Sequence, residues 1–277
     1  MRRHPLRQDS THGAQTCQSY NGRRGAWGRK AITEDEDLPF AEAAVLAVLY
    51  ERGQRPSIDA VRHAAETSGT FGLSHDPGVD AGWAEALVTG LTFDLCGLAP
   101  GAGEAVPPIA HRFGLAEDWR GDLLEAVLVK PGAHLAGAAA MLPVVRACVA
   151  LGAALAGQTG ATAVVWIPAR SAMTPDYFAA TVADWQGGGA FPALGLTALV
   201  AGGFGMTSEG LAFFTGQEIE VCGDDLAHAG RIAVRLIHGL ASHGPLLVPT
   251  DLTGPDGERL LAQPSDDGCK VRVSPRR

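Results

Sequence analysis

Glu218 and Glu220 stand two residues apart in segment 208–221, SEGLAFFTGQEIEV, alternating with Ile219 and Val221. On a strand, that alternation puts both carboxylates on one side. Carboxylates so placed can share a proton or hold a hard cation. The same pattern also keeps the outer side of a strand charged and soluble, and with no third ligand at fixed spacing that structural role is favoured. His134 follows a predicted strand and could serve as acid or base if a carboxylate met it, although a neutral histidine bonded to backbone is the commoner case at a strand end. Its candidate partners are Glu209 and Asp251. An enzyme built here from His134, Glu209, Glu218 and Glu220, hydrolase-like or metal-assisted, requires His134 and at least two of the carboxylates to converge in a pocket. Arg170, between a strand and a helix amino terminus, is the best loop position for binding a small anion; a surface arginine beside a capped helix accounts for it equally.

Other chemistries find no support. Gly-x-Ser-x-Gly, the P-loop lysine pattern and HExxH are absent, and Gly101-Ala102-Gly103 lacks the third glycine of a dinucleotide loop. The five cysteines are widely spaced without a CxxC pair, so neither a zinc site nor a disulfide framework is expected, and a reducing cytoplasm fits best. No cofactor or resident metal is expected. His238 and His243, five apart, read as helix-end polar residues, Cys148 and Cys222 as inert core thiols, and Trp166 and Trp185 as core aromatics.

These groups must be positioned by elements with legible signals. Segment 43–49 reads as a buried strand, and Ser57 as the cap of a helix burying Ile58, Val61 and Ala65. Segment 84–95 gives one or two strands, 98–108 a loop, 111–119 a polar helical link and 124–129 a strand. An apolar helix comes next over 138–156; Arg146, Pro143 and its glycines mark it as a core helix and not a membrane span. Segment 161–167 is a strand, and Thr174-Pro175-Asp176 a strong helix start. Segments 194–200 and 211–221 are predicted as strands forming a hairpin. Asp224 or Asp225 caps the last long helix, whose buried stripe runs from Leu226 through Ile232, Ala233, Leu236 and Ile237 to Leu240. Short strands at 246–248 and 271–273 flank a turn-rich loop over 251–257.

This order argues an α+β fold with a mixed, mostly antiparallel sheet packed with helices, and is compatible with two degenerate βαβ-like halves at 38–119 and 120–277. Residues 1–37 read as a disordered basic tail, or as an upstream start that is not translated. Residues 1–30 hold seven basic residues against Asp9, so the totals of 22 basic and 30 acidic leave 15 and 29, a net of −14, for the rest. Such a body repels phosphate backbones, and nucleic-acid binding is not expected.

Several blocks, taken in order, resemble a bacterial family, the domain of unknown function 4261. They are Gly132-Ala133-His134-Leu135, Val164-Val165-Trp166, the Pro175-to-Phe178 helix start, Glu209-Gly210-Leu211, and Phe214 to Glu220. The 249–254 loop and the proline run at 105–109 add weaker likeness. The match covers about 124–273, and more weakly from about 40. The resemblance implies a fold and a bacterial origin, and supplies no reaction or catalytic residue. The resulting expectation is a cytoplasmic binding protein with a protein partner or self-association, bound to neither membrane nor nucleic acid.

Overall fold

The computed structural model describes residues 44–276, and the expected basic tail lies outside them. At the centre is β1 (Leu46–Tyr50), five fully buried residues without charge. A central strand covered on both faces must be apolar at every position, which is why this segment does not alternate. It pairs antiparallel with β6 (Glu125–Pro131) and with β7 (Ala163–Trp166). Outward on one side lie β4 (Leu91–Cys96), β3 (Trp83–Val88) and β2 (Gly72–His75); on the other lie β8 (Ser171–Met173) and β5 (His111–Phe113). Only β5 and β8 run parallel in this eight-stranded sheet.

Helices cover one of its faces. Helix α1 (Ile58–Ser68) starts where the Ser57 side chain accepts from the Ala60 N–H, and ends at Gly69 in the left-handed region. Helix α2 (Leu142–Thr159) crosses β1 and β6 and packs between α1 and α3 (Pro175–Gln186). Among the described residues α2 is the one helix long and apolar enough to cross a membrane. Here it serves as the core helix. Its Arg146 turns to α3, with the guanidinium 4.2 Å from the Trp185 ring centre and a 2.9 Å bond to the Trp185 carbonyl. On the opposite face, Val106, Ile109 and Trp119 from the 97–120 connection cover Ala47, Leu49 and Leu128.

A second, six-stranded sheet takes the remaining strands: β9 (Ala198–Gly202), β10 (Gly205–Glu209), β11 (Glu218–Cys222), β12 (Thr250–Thr253), β13 (Arg259–Pro264) and β14 (Lys270–Pro275). Its order is β12-β13-β14-β11-β10-β9, antiparallel except for β11 beside β14. Helix α5 (Leu226–His243), capped by Asp225, lies on β9, β10 and β11.

The class is therefore α+β with mostly antiparallel mixed pairing, but the strands divide between two sheets. The change of sheet comes between β8 and β9; a boundary near 120 would instead cut through the first sheet, where β6 inserts between β4 and β1. The helical link expected over 111–119 is strand β5 followed by irregular chain. Segment 246–248 has no strand, β13 forms where none is expected, and α2 begins at Leu142, after a 3-10 turn at Ala133–Ala138. Leu226 is exposed and does not join the α5 stripe.

The expected strand over 211–221 is interrupted by a single-turn helix, α4 (Ala212–Thr215), and the hairpin forms instead between β9 and β10. Gly210 and Gly216 bracket α4 with φ of 89° and 77°. That turn drives Phe213 and Phe214 into the seam between the sheets. Phe213 meets Trp166 edge-on at 5.6 Å, and Phe214 meets Phe191 at 5.0 Å, which in turn meets Trp185 at 5.5 Å. Edge-to-face packing at such distances adds to burial.

The two bracketing glycines separate strain from contact. A Cβ on Gly210 would lie 2.6 Å from the Ala169 Cβ, whereas one on Gly216 would meet nothing within 4 Å. Gly216→Ala should lower the unfolding free energy in urea by about 1–2 kcal/mol, the left-handed penalty alone. Gly210→Ala should cost roughly 2–5 kcal/mol, because overpacking at the seam is added. Equal losses for the two would mean that the close approach to Ala169 is unimportant.

Candidate functional site

The residues suspected from sequence are not brought together as a set. Glu209 and Arg170 do meet, but the histidine that joins them is His111. Glu209 ends β10, Arg170 ends a 3-10 turn after β7 at φ 50°, and His111 begins the edge strand β5. His111 Nε2 lies 2.8 Å from Glu209 Oε2, and Arg170 Nε donates to Glu209 Oε1. The β5–β8 pairing fixes this geometry, since the amides of Ala110 and His111 both donate to the Arg170 carbonyl. Burial alone would raise the Glu209 carboxyl, but the bonds and charges of Arg170 and His111 outweigh it and hold the carboxyl below its ordinary range. The segment 170–173, a recognition loop by its sequence, is largely strand β8, and the charge of Arg170 is already paired across the two sheets. A helical reading of 111–119 passes over His111; its alternation with Arg112 and Phe113 is the available signal.

The other candidates have separate partners. Glu218 and Glu220 do share a side of β11, with Ile219 and Val221 buried on the opposite side. Glu218 accepts from the Ser208 hydroxyl and from the amides of Gly210 at 2.8 Å and Ala212 at 3.0 Å. Glu220 pairs with Arg272 on β14 at 2.9 Å. Asp251 pairs with Arg276. His134 is exposed on the 3-10 turn after β6, and is not a partner of any of the four carboxylates. His238 Nδ1 accepts from the Phe191 amide at 3.0 Å, so this histidine ties α5 to the seam. Cys148 is buried as expected, with its thiol pushed up by burial, while Cys222 is only half-buried. Among the described residues no group of three or more His, Cys, Asp or Glu is placed to hold a metal ion.

Three features offer room for a partner. The first is a cleft of about 410 Å³ on the first sheet, lined by Trp83, Asp94, Cys96 and Glu104, with Gly82 and Gly101 closing it. Asp94 faces Lys130 across the β4–β6 pair. Lys130 is 3% exposed, and burial draws its ammonium below the usual lysine range against the pull of Cys96, Glu104 and Asp94. Burial, then the charge of Glu85, raises Asp94, and burial raises the Cys96 thiol, leaving it protonated and a poor nucleophile. A single lysine within the apolar run 126–131 is its one sequence signal. Arg55 holds the cleft's wall, donating to Glu125 at 2.9 Å and to the carbonyls of Gly97 and Gly101.

The second is an apolar groove of about 490 Å³ between α5 and the β12–β13 end of the second sheet. The third is the edge of β9 at the other end of that sheet, beside which no further strand lies among the described residues. The groove is not visible in the sequence, because its elements stand far apart in the chain, and the sequence marks β9 as a strand without showing that it ends the sheet.

The His111–Arg170–Glu209 pairing has a pH signature. With the Glu209 carboxyl depressed in the folded state, its stabilisation is present above the ordinary carboxylate pKa of about 4.3 and is lost as pH falls through the lower folded value. Glu209→Gln should cost about 1–2 kcal/mol at pH 7 by urea unfolding, and the gap to the parent should close in acid. A gap that stays constant into acid would assign the loss to packing.

No family model, curated protein or solved structure matches the chain.

Proposed function

We propose that the protein acts by binding and not by catalysis, and that it associates with a second copy of itself through β9. The observation that carries this reading is the character of that edge. Its sequence, Ala198-Leu199-Val200-Ala201-Gly202, contains no charge, proline or bulge, the devices that normally guard an open strand. The β12 edge, by contrast, is flanked by Pro249 and Pro255, β2 carries a register shift, and β5 carries Arg112. Beside β9 three apolar side chains face solvent: Leu194 at 42%, Val200 at 40% and Phe204 at 78% exposure.

An antiparallel pair of β9 strands centred on Val200 sets Leu199 opposite Ala201 and Ala198 opposite Gly202. Large then meets small, and no like charges oppose each other. A two-fold pairing of this kind is self-limiting. On a body with a net of −14 outside residues 1–30, an uncharged edge is also where two copies repel least.

The rival reading, a His/carboxylate enzyme, loses support because His134, Glu209, Glu218 and Glu220 each have separate surroundings. A cytoplasmic setting is part of the proposal, supported by Cys96, Cys148 and Cys222 standing as thiols. So are the absence of membrane and nucleic-acid partners and membership of the bacterial family whose blocks the chain resembles.

Sedimentation velocity tests the reading. The full chain should sediment as a dimer at micromolar concentration. Ala201→Pro, at a position whose amide points away from β10 and out of the sheet edge, combined with Phe204→Glu should give a monomer with an unchanged circular dichroism spectrum. A monomeric parent, or a dimer indifferent to both changes, overturns it.

A further inference from the structure

The groove beneath α5 lies at the opposite end of the sheet from β9, so its chemistry is independent of whether the chain dimerises. One stripe of α5 lines it: Ile232, Arg235, Leu236, Gly239, Leu240 and His243. These positions are three and four apart, so they form one continuous face. Across from them stand Ile219, Leu252, Leu260 and Val271 of the sheet. Ile219, Ile232, Leu260 and Val271 are fully buried, while Leu236, Leu240 and Leu252 are only part-covered. The floor is thus apolar and its upper walls are open.

Two features distinguish this groove from an ordinary packing gap. The first is Gly239, in the middle of the helical wall, where an added Cβ would meet nothing within 4 Å. A glycine inside a helix costs roughly 1 kcal/mol against alanine, and neither φ nor crowding requires one here. Its effect is to leave the groove empty where a side chain would fill it. The second is Arg235. Among the described residues it has no hydrogen bond or ion pair, whereas Arg231 one turn earlier reaches Asp256 at 3.3 Å. The acid on the lining, Asp251, is neutralised by Arg276. Among the described residues, the groove therefore sets a guanidinium without a paired acid above an apolar floor.

We propose that this groove binds a small amphipathic anion, a monocarboxylate with an unbranched apolar chain, with the chain lying along Gly239 and the carboxylate on Arg235. A volume of about 490 Å³ suits a ligand of that size. A planar guanidinium is matched to a carboxylate through two parallel N–H bonds. The apolar chain supplies affinity by burial, and Arg235 supplies the choice of head group.

Titration calorimetry of the full chain with decanoate, decanol and decylamine tests this. Decanoate should bind at least tenfold more tightly than either of the others. Arg235→Gln should bring decanoate to the level of decanol and leave decanol unchanged. Gly239→Phe, placed where a side chain has room, should abolish binding of both, and Leu252→Trp, on the strand face that lines the groove, should do the same if the first variant fails to fold. Equal affinity for all three probes, no saturable decanoate binding, or indifference to Arg235→Gln overturns the proposal. So does a Gly239→Phe protein that still binds decanoate but changes its state of association, which would assign the groove to a protein partner.

Discussion

The two sheets can meet because the carboxylate of Glu218 satisfies the β10–β11 turn, which packs against the first sheet. Where β10 ends, the chain must reverse at a crowded seam, and its amides lose both strand and helix partners. Buried amides without acceptors are costly. Glu218 accepts from the amides of Gly210 and Ala212 and from the hydroxyl of Ser208, which itself accepts from the Ile219 amide. With the turn satisfied in this way, Gly210 can press against Ala169 and α4 can push Phe213 and Phe214 between the sheets. The aromatic chain from Trp166 to Trp185 then makes one continuous core of both sheets.

That arrangement explains the fate of the polar groups. The seam needs polar contacts across it, and Glu209 supplies them by reaching His111 and Arg170 on the other sheet. Glu220 is paired to Arg272 on the neighbouring strand β14, and Asp251 of the edge strand β12 to Arg276. The residues with the most chemical promise are those that hold the fold together. What is left for partners is surface that structure does not occupy: an unguarded strand edge at β9 and a groove kept open at Gly239. Both sit on the second sheet, which has a helix on one face and two exposed edges.

The cleft at Lys130 is a contrasting case. Burial draws the lysine and Asp94 toward their neutral forms, while the cross-strand pairing holds them side by side. The Cys96 thiol is driven up by the same burial. Their proximity comes from the β4–β6 register alone, and the groups stand far apart in the chain.

The sequence by itself determined the local elements wherever the signal was local. Ser57, Thr174 and Asp225 cap helices because a side-chain oxygen meets the amide three residues on, which needs no tertiary partner. Gly160 ends α2 in the left-handed conformation for an equally local reason. The continuous apolar runs of β1 and β7 announced strands, and the shared side of Glu218 and Glu220 came from strand periodicity. Tertiary structure decided everything that required one segment to find another. It broke the apparent strand at 211–221, since α4 gains more by filling the seam than by pairing. It turned the start of the expected helix at 111–119 into the short edge strand β5, because β8 offered a partner. It gave Glu209 the histidine at 111 instead of the one at 134. Periodicity reports which face of an element is buried; which element covers that face depends on shape and on polar groups meeting across distances that the chain order does not encode.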